Sequence, residues 1–144
     1  MNIKKLDHVG ITVKDIDQTI AALERVLGVK AFGRETSDDD RVKLGFVPLG
    51  DTALQLLEHW GEARGPVGSH FREQGPGSPH IAVEVADIRE EIAKLRAAGV
   101  PLLGDPPQPG ARGSLTAFVD PSATNGLLTE LVEHSKSPDP SGKS

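Results

Sequence analysis

Apolar and polar positions recur along this chain with two different periods. Val9, Ile11 and Val13 alternate with His8, Gly10 and Thr12, the period of a strand with one apolar and one polar face. From Asp17 to Leu27 the spacing changes. Ile20, Leu23, Val26 and Leu27 line one stripe of a helix, Asp15 or Asp17 can cap its start, and Gly28 stops it. Three more strands are expected at about Lys30–Glu35, Val42–Leu49 and Ala53–His59, with a turn at Gly50-Asp51.

The same order returns later in the chain. The run from His8 to Ile16 pairs with that from His80 to Ile88 at a constant offset of 72, and Ile20 and Leu23 continue onto Ile92 and Leu95. Each stretch ends in a Gly-Val pair, Gly28-Val29 and Gly99-Val100. A second match lays Leu54–His59 over Thr129–His134 at an offset of 75, with Gly50 on Asn125. Two matches in the same order at nearly equal offsets point to an internal duplication, the difference of three being loop length. The second half should hold a helix along Ile88, Ile92, Leu95 and Ala98, then strands near Val100–Leu103, Ser114–Val119 and Leu127–Glu133. The expected architecture is α+β: two tandem βαβββ modules, about 5–60 and 78–134, in a single domain over residues 1–134. Gly61 to Pro79 holds five Gly and three Pro, which reads as a linker with a short helix near Val67–Gln74. The Ser135–Ser144 tail has no apolar residue and is expected to be disordered.

Composition narrows the function. At 144 residues and 37% hydrophobic, the chain suits one domain with a real core. No run approaches the roughly 18–20 apolar residues that span a bilayer, and Met1-Asn2-Ile3-Lys4-Lys5 lacks the apolar core of a signal peptide, so a cytoplasmic location is expected. With no cysteine, any metal must use His, Asp, Glu or Gln. A net charge of −5 disfavours nucleic acid and anionic membrane as partners, and aromatics at 3%, with no Tyr, argue against base-stacking platforms and aromatic cavities. A small ligand in a polar site is expected.

The duplication places His8 over His80 and Gln55 over Glu130. Each half then carries an imidazole on its first strand and an oxygen-bearing side chain on its last. His8 and His80 stand opposite the apolar row and so project away from the helix-covered core. Two imidazoles, a carboxylate and an amide oxygen suit a divalent first-row ion with open positions for water or substrate. His59 and His134 also pair, at strand ends beside the linker and tail, and are read as exposed. His70 has no partner.

The residues Leu6-Asp7-His8-Val9-Gly10-Ile11, Leu54-Gln55-Leu56-Leu57-Glu58, His80-Ile81-Ala82, Gly110-Ala111-Arg112-Gly113 and Gly126-Leu127-Leu128-Thr129-Glu130-Leu131 together resemble the vicinal oxygen chelate (glyoxalase/bleomycin-resistance/dioxygenase) superfamily, and within it the methylmalonyl-CoA epimerases. The resemblance implies a curved mixed sheet, an incomplete barrel, around a metal held by His8, Gln55, His80 and Glu130. It implies Co²⁺ or Mn²⁺, with Ni²⁺, Mg²⁺ or Zn²⁺ as alternatives, an acyl-CoA substrate and a homodimer. The implied reaction inverts C2 of methylmalonyl-CoA by a 1,1-proton transfer, a cation stabilising the enolate while a base on one face and an acid on the other move protons. Glu130 is the expected ligand and proton carrier. The second carrier is open, because Leu44 stands where some epimerases have a glutamate; Glu35, Glu58 and Glu84 are candidates by proximity. Pro79-His80 and Asp120-Pro121-Ser122 depart from the family's His-His and His-Pro-Lys. Gly110, Arg112 and Gly113 either bind a phosphate or carboxylate of the substrate or simply form a turn.

Rival readings share the scaffold. A glyoxalase-like isomerase would use the same four ligands. An extradiol dioxygenase, with a 2-His-1-carboxylate iron, would leave Gln55 without a role. A non-catalytic binder of the resistance type would want an aromatic cavity and no ligand set.

Overall fold

The period-2 and period-3.6 runs become strands and helices in the order they are written. The computed structural model describes residues 1–135; the tail from 136 on, expected to be disordered, lies outside the described residues. The chain divides into two units, one from His8 to Pro79 and one made of Met1–Asp7 with the chain from His80 on. Strand β1 (Ile3–Thr12) passes from one unit to the other between Asp7 and His8.

The His8–Pro79 unit continues through α1 (Ile16–Leu27), β2 (Phe32–Ser37), β3 (Val42–Leu49), β4 (Thr52–His59) and α2 (Gly65–Gln74). The other unit takes up β5 (Pro79–Val85), α3 (Ile88–Ala97), β6 (Gln108–Pro109), β7 (Leu115–Val119) and β8 (Leu128–Glu133). The eight strands run in the order β2-β3-β4-β1-β5-β8-β7-β6. The sheet is mixed: β1 is parallel to β4 and β5 to β8, while β3–β4 and β7–β8 are antiparallel. Among the described residues no helix is long and apolar enough to cross a membrane.

The two units repeat each other in register as well as in sequence. The β1–β4 pairs His8↔Ala53, Gly10↔Gln55 and Thr12↔Leu57 map onto the β5–β8 pairs His80↔Leu128, Ala82↔Glu130 and Glu84↔Val132, with the offsets of 72 and 75 unchanged. Each helix covers the odd-numbered face of its first strand. Ile16 and Ile20 of α1 pack with Val47 and Leu56 against Ile11 and Val13; Ile88 and Ile92 of α3 pack with Val85, Ala117 and Leu131 against Val83. Burying such side chains contributes about 1.5–3 kcal/mol each, so the stripe is what fixes each helix to its sheet face.

Both helices start in the same way. Asp15 accepts a hydrogen bond from the Gln18 amide at 3.0 Å and Asp87 from that of Glu90 at 3.1 Å, the side-chain caps that free amides of a first turn require. A second carboxylate reaches each start from the last strand of its unit. Glu58 accepts from the Ile16 amide and Glu133 from the Ile88 amide, both at 2.9 Å. Negative charge at a helix N-terminus is favoured by the aligned peptide dipoles, and here it also ties helix to sheet.

Two differences separate the structure from the expected elements. The strand expected at Val100–Leu103 is reduced to a single bridge, Leu102↔Val119, and the edge strand is the later pair Gln108–Pro109. Pro101, Pro106 and Pro107 supply no amide donor to a ladder, so this stretch makes little pairing. The three-residue difference between the offsets is located by the strands: Phe46 and Phe118 still differ by 72, so the extra residues fall between β7 and β8. There a 3-10 turn, Pro121–Thr124, begins at Asp120, which accepts from the Ser122 amide at 2.9 Å, and closes through Asn125 at φ 54°. In the other unit the β3–β4 connection is only Gly50-Asp51, with Gly50 at φ 70°.

Candidate functional site

Directly paired residues on neighbouring strands project to the same face. In the His8–Pro79 unit this puts His8 and Gly10 of β1, Gln55 of β4 and Phe46 of β3 on the face that α1 does not cover, since Gly10 pairs with Gln55 and Gln55 with Phe46. His8 is 3% exposed and Gln55 6%. The Phe46 ring meets the His8 ring edge-on at 5.6 Å and stacks on Phe32 of β2 at 5.4 Å. A buried imidazole and amide beside two aromatic rings form a polar pair set in an apolar floor.

The other unit repeats the arrangement with one change of chemistry. His80 of β5 and Glu130 of β8 share a face, Ala82 pairs with Glu130, and Phe118 of β7 stands opposite Glu130. The His80 Nε2 and Glu130 Oε1 atoms are 3.4 Å apart, on side chains 1% and 8% exposed. The Phe118 ring lies 6.2 Å from that of His80. A buried carboxylate is costly unless paired or bound to a metal, and the imidazole and carboxylate within one ion's reach fit that need. The expected residues His80 and Glu130 are thus brought together within their unit, and the equivalent positions His8 and Gln55 share a face within theirs.

The Phe46/Phe118 pair was not among the expected site residues, although Phe46-Val47 and Phe118-Val119 repeat at the same offset of 72. The candidate carboxylates separate by face. Glu58 points to the helix side and caps α1, so it is not a proton carrier of this face. Glu84 lies on the His80 face but is buried beside Lys4, with Nζ 3.8 Å away. Glu35 lies on the Phe46 face, opposite Leu44. The paired histidines read as exposed are not: His59 is half-buried with its ring stacked 5.0 Å from Phe71, and His134 makes a 2.6 Å contact with Asp7. The linker forms a helix there, and its Phe71 covers the strand end.

The Gly110–Gly113 loop is tightly seated on β7. A Cβ on Gly110 would collide with Thr116 Cγ2 and approach Ser114 Oγ to 2.8 Å, so only glycine fits. Arg112 is half-buried with φ 59° and ψ 32°, a left-handed conformation that costs a non-glycine residue about 1–2 kcal/mol. Ser114 turns the loop back, its hydroxyl donating to the Ala111 carbonyl at 2.7 Å.

Paired βαβββ modules whose first and last strands carry His and Gln/Glu define a class built by duplication, and known proteins fill it. Residues 7–118 match the Glyoxalase/Bleomycin resistance protein/Dioxygenase superfamily, and the chain belongs to that superfamily. It is 35% identical to the ethylmalonyl-CoA/methylmalonyl-CoA epimerase of Cereibacter sphaeroides, over 91% of this chain and 98% of that one. It is 34% identical to the uncharacterized protein YqjC of Bacillus subtilis, over 91% and 93%. A variant of Streptomyces coelicolor methylmalonyl-CoA epimerase, solved with 2-nitronate-propionyl-CoA, superimposes with a TM-score of 0.84 at 32% identity, covering 99% of both chains.

Proposed function

We propose that this chain is a metal-dependent epimerase that inverts C2 of methylmalonyl-CoA, its two units acting as one catalytic domain. His8, His80 and Glu130, three buried donors of the kind able to take one ion, would hold a divalent cation together with Gln55. The observation that carries the reading is the shared register, which gives each unit one imidazole and one oxygen donor on a single face, in a chain similar over its length to methylmalonyl-CoA epimerases. The donor set suits Co²⁺ or Mn²⁺, with Ni²⁺, Mg²⁺ or Zn²⁺ also compatible. A bound cation supplies Lewis acidity for the charge that develops on the thioester oxygen as the C2 proton leaves.

The chain's own residues do the rest. Glu130 carries two carboxylate oxygens, one for the ion and one for a proton, in a water-poor setting where proton transfer is not outcompeted by solvent. Phe46 and Phe118 keep the floor of the donors dry. Arg112, with the amides around Gly110 and Gly113, binds a carboxylate or phosphate of the acyl-CoA, for which a guanidinium fork is well matched. The active form is a homodimer, for which the exposed Ile3, Leu6, Leu49 and Leu127 offer apolar contact surface; sedimentation at micromolar concentration should give twice the chain mass.

The test is deuterium incorporation at C2 of methylmalonyl-CoA by protein stripped of metal and reloaded with Co²⁺. Reloading should restore exchange, Glu130→Ala should lower it at least about 100-fold, the usual weight of one acid–base group, and His80→Ala should lower it together with Co²⁺ binding. Tight metal binding without exchange would move the chain to another metal-dependent reaction of the superfamily, and absence of metal binding would overturn the site.

A further inference from the structure

Resting on the metal site of the epimerase reading, we propose that Phe46 is a positioning residue for His8, its ring fixing the orientation in which that imidazole meets the ion. A ligating imidazole has to hold its ring plane, and groups outside the donor set supply the restraint. The two units supply it by different means.

In the His8–Pro79 unit the restraint is aromatic. Strands β1 and β3 flank β4 and, at the usual spacing of neighbouring strands, lie about 9–10 Å apart. The His8 and Phe46 ring centroids are only 5.6 Å apart, so the two side chains close over β4. The β4 residue paired with His8 is Ala53, whose single methyl leaves room for this. The rings meet at 77°, the edge-to-face geometry that aromatic pairs favour. Phe46 is held in turn, being 2% exposed and stacked at 22° on Phe32.

An irregularity in β2 seats Phe32. Phe32 pairs with Phe46 and Glu35 with Leu44, so Gly33 and Arg34 together stand opposite Gly45. This is a β-bulge, with Gly33 in the left-handed region at φ 64°. The Arg34 side chain lies across Gly45 and reaches Asp17 of α1 at 2.6 Å, which ties the bulge to the helix side while Phe32 keeps to the face of His8 and Gln55.

The other unit lacks this arrangement. Leu128 stands at the position of Ala53, paired with His80 and wholly buried, and it fills the room that the alanine leaves. The Phe118 ring lies 6.2 Å from that of His80 and is tilted at 59°; it is half-buried, and among the described residues no second ring backs it. Beside His80 stands a carboxylate instead, with Glu130 Oε1 3.4 Å from its Nε2. Both copies thus keep a phenylalanine at this place, and one of the two grips the imidazole.

A ring free to turn gives up that freedom on binding an ion, and ordering one such side chain costs about 2- to 12-fold in affinity. The experiment titrates metal-stripped wild type, Phe46→Leu, Phe32→Leu and Phe118→Leu with Co²⁺ by calorimetry, records the visible absorption of the bound ion, which follows ligand geometry, and measures C2 exchange of methylmalonyl-CoA on the saturated proteins. Phe46→Leu should lower Co²⁺ affinity about fivefold and shift the absorption. Phe32→Leu, at a half-buried edge position, keeps Phe46 without its backing and should lose about threefold, deciding the matter if Phe46→Leu does not fold. Phe118→Leu should stay within about twofold of wild type with its absorption in place. Unchanged affinity and absorption in folded Phe46→Leu or, failing that, Phe32→Leu would overturn the proposal, as would an equal loss in Phe118→Leu. Wild type that binds Co²⁺ with this ranking of variants but exchanges no C2 proton would overturn the epimerase reading and leave the role of Phe46 standing; wild type that binds no Co²⁺ would overturn both.

Discussion

Opposite Phe46, the last strand of the His8–Pro79 unit carries an amide, Gln55; opposite Phe118, the other unit carries a carboxylate, Glu130. Nearly everything that positions these two side chains is shared: the strand register, the Asp caps at Asp15 and Asp87, and the Glu58 and Glu133 ties to the helix starts. The duplicated scaffold thus preserves the positions of the chemistry while letting its character differ. Where the copies agree, the residues hold structure; where they differ, as at Gln55 and Glu130, one position carries two different side-chain chemistries.

The floor of the two donor pairs is where the comparison breaks most sharply. Phe46 is almost wholly buried between His8 and Phe32, whereas Phe118 is half-buried. Phe46→Ala should cost about 3–5 kcal/mol, in the range of buried aromatic truncations, and Phe118→Ala clearly less. Urea unfolding of both variants checks this, and equal losses would mean the two floors are energetically alike.

A smaller contrast lies in two glycines that face side chains across a strand. An added methyl at Gly110 would strike the Cγ2 of Thr116, a β-branched residue of β7 with little freedom to move; at Gly45 it would meet the flexible Arg34 side chain at 2.6 Å. Gly110→Ala should destabilise by about 1–3 kcal/mol and Gly45→Ala by less, the arginine swinging aside. Thermal melts with a destabilised Gly45→Ala but unaffected Gly110→Ala would reverse this ranking.

The faintest expected effect belongs to one unit alone. The Arg34 hydrogen bond, and then its charge, hold the Asp17 carboxyl below its ordinary value of 3.8. A depressed folded value means stability that is present above 3.8 and lost as pH falls through the folded value. Because the pair is solvent-exposed, Asp17→Asn should lower the melting temperature only slightly at neutral pH and low salt, and not at all once both states are protonated. A difference that persisted in strong acid would show that the carboxylate acts through something other than its charge.

Much of this was legible in the sequence because duplication prints the same physics twice. The helix stripes and the His8/His80 and Gln55/Glu130 equivalences follow from apolar period and offset, and the first cap was narrowed to Asp15 or Asp17, of which the structure uses Asp15. What escaped depends on relations between strands. Neither the β-bulge that sets Gly33 and Arg34 together opposite Gly45 nor the face on which Glu35 falls can be read without knowing which residue of β3 each residue of β2 meets. Glu58 was a candidate by proximity, but it follows Gln55 by three, and that odd spacing turns it to the helix side. The segment after Val100 read as a strand from its place in the repeat, but its prolines remove the donors a ladder needs.

The longer β7–β8 connection has a further consequence for anyone wishing to modify this protein. It carries three residues more than its counterpart, yet the pairing on either side, Val119↔Thr129 and Val47↔Leu54, keeps the strands aligned on the same rows. The Pro121–Thr124 turn is therefore a natural splice point, where a peptide tag or a reporter could be grafted while the strands that carry Glu130 and Phe118 stay in step.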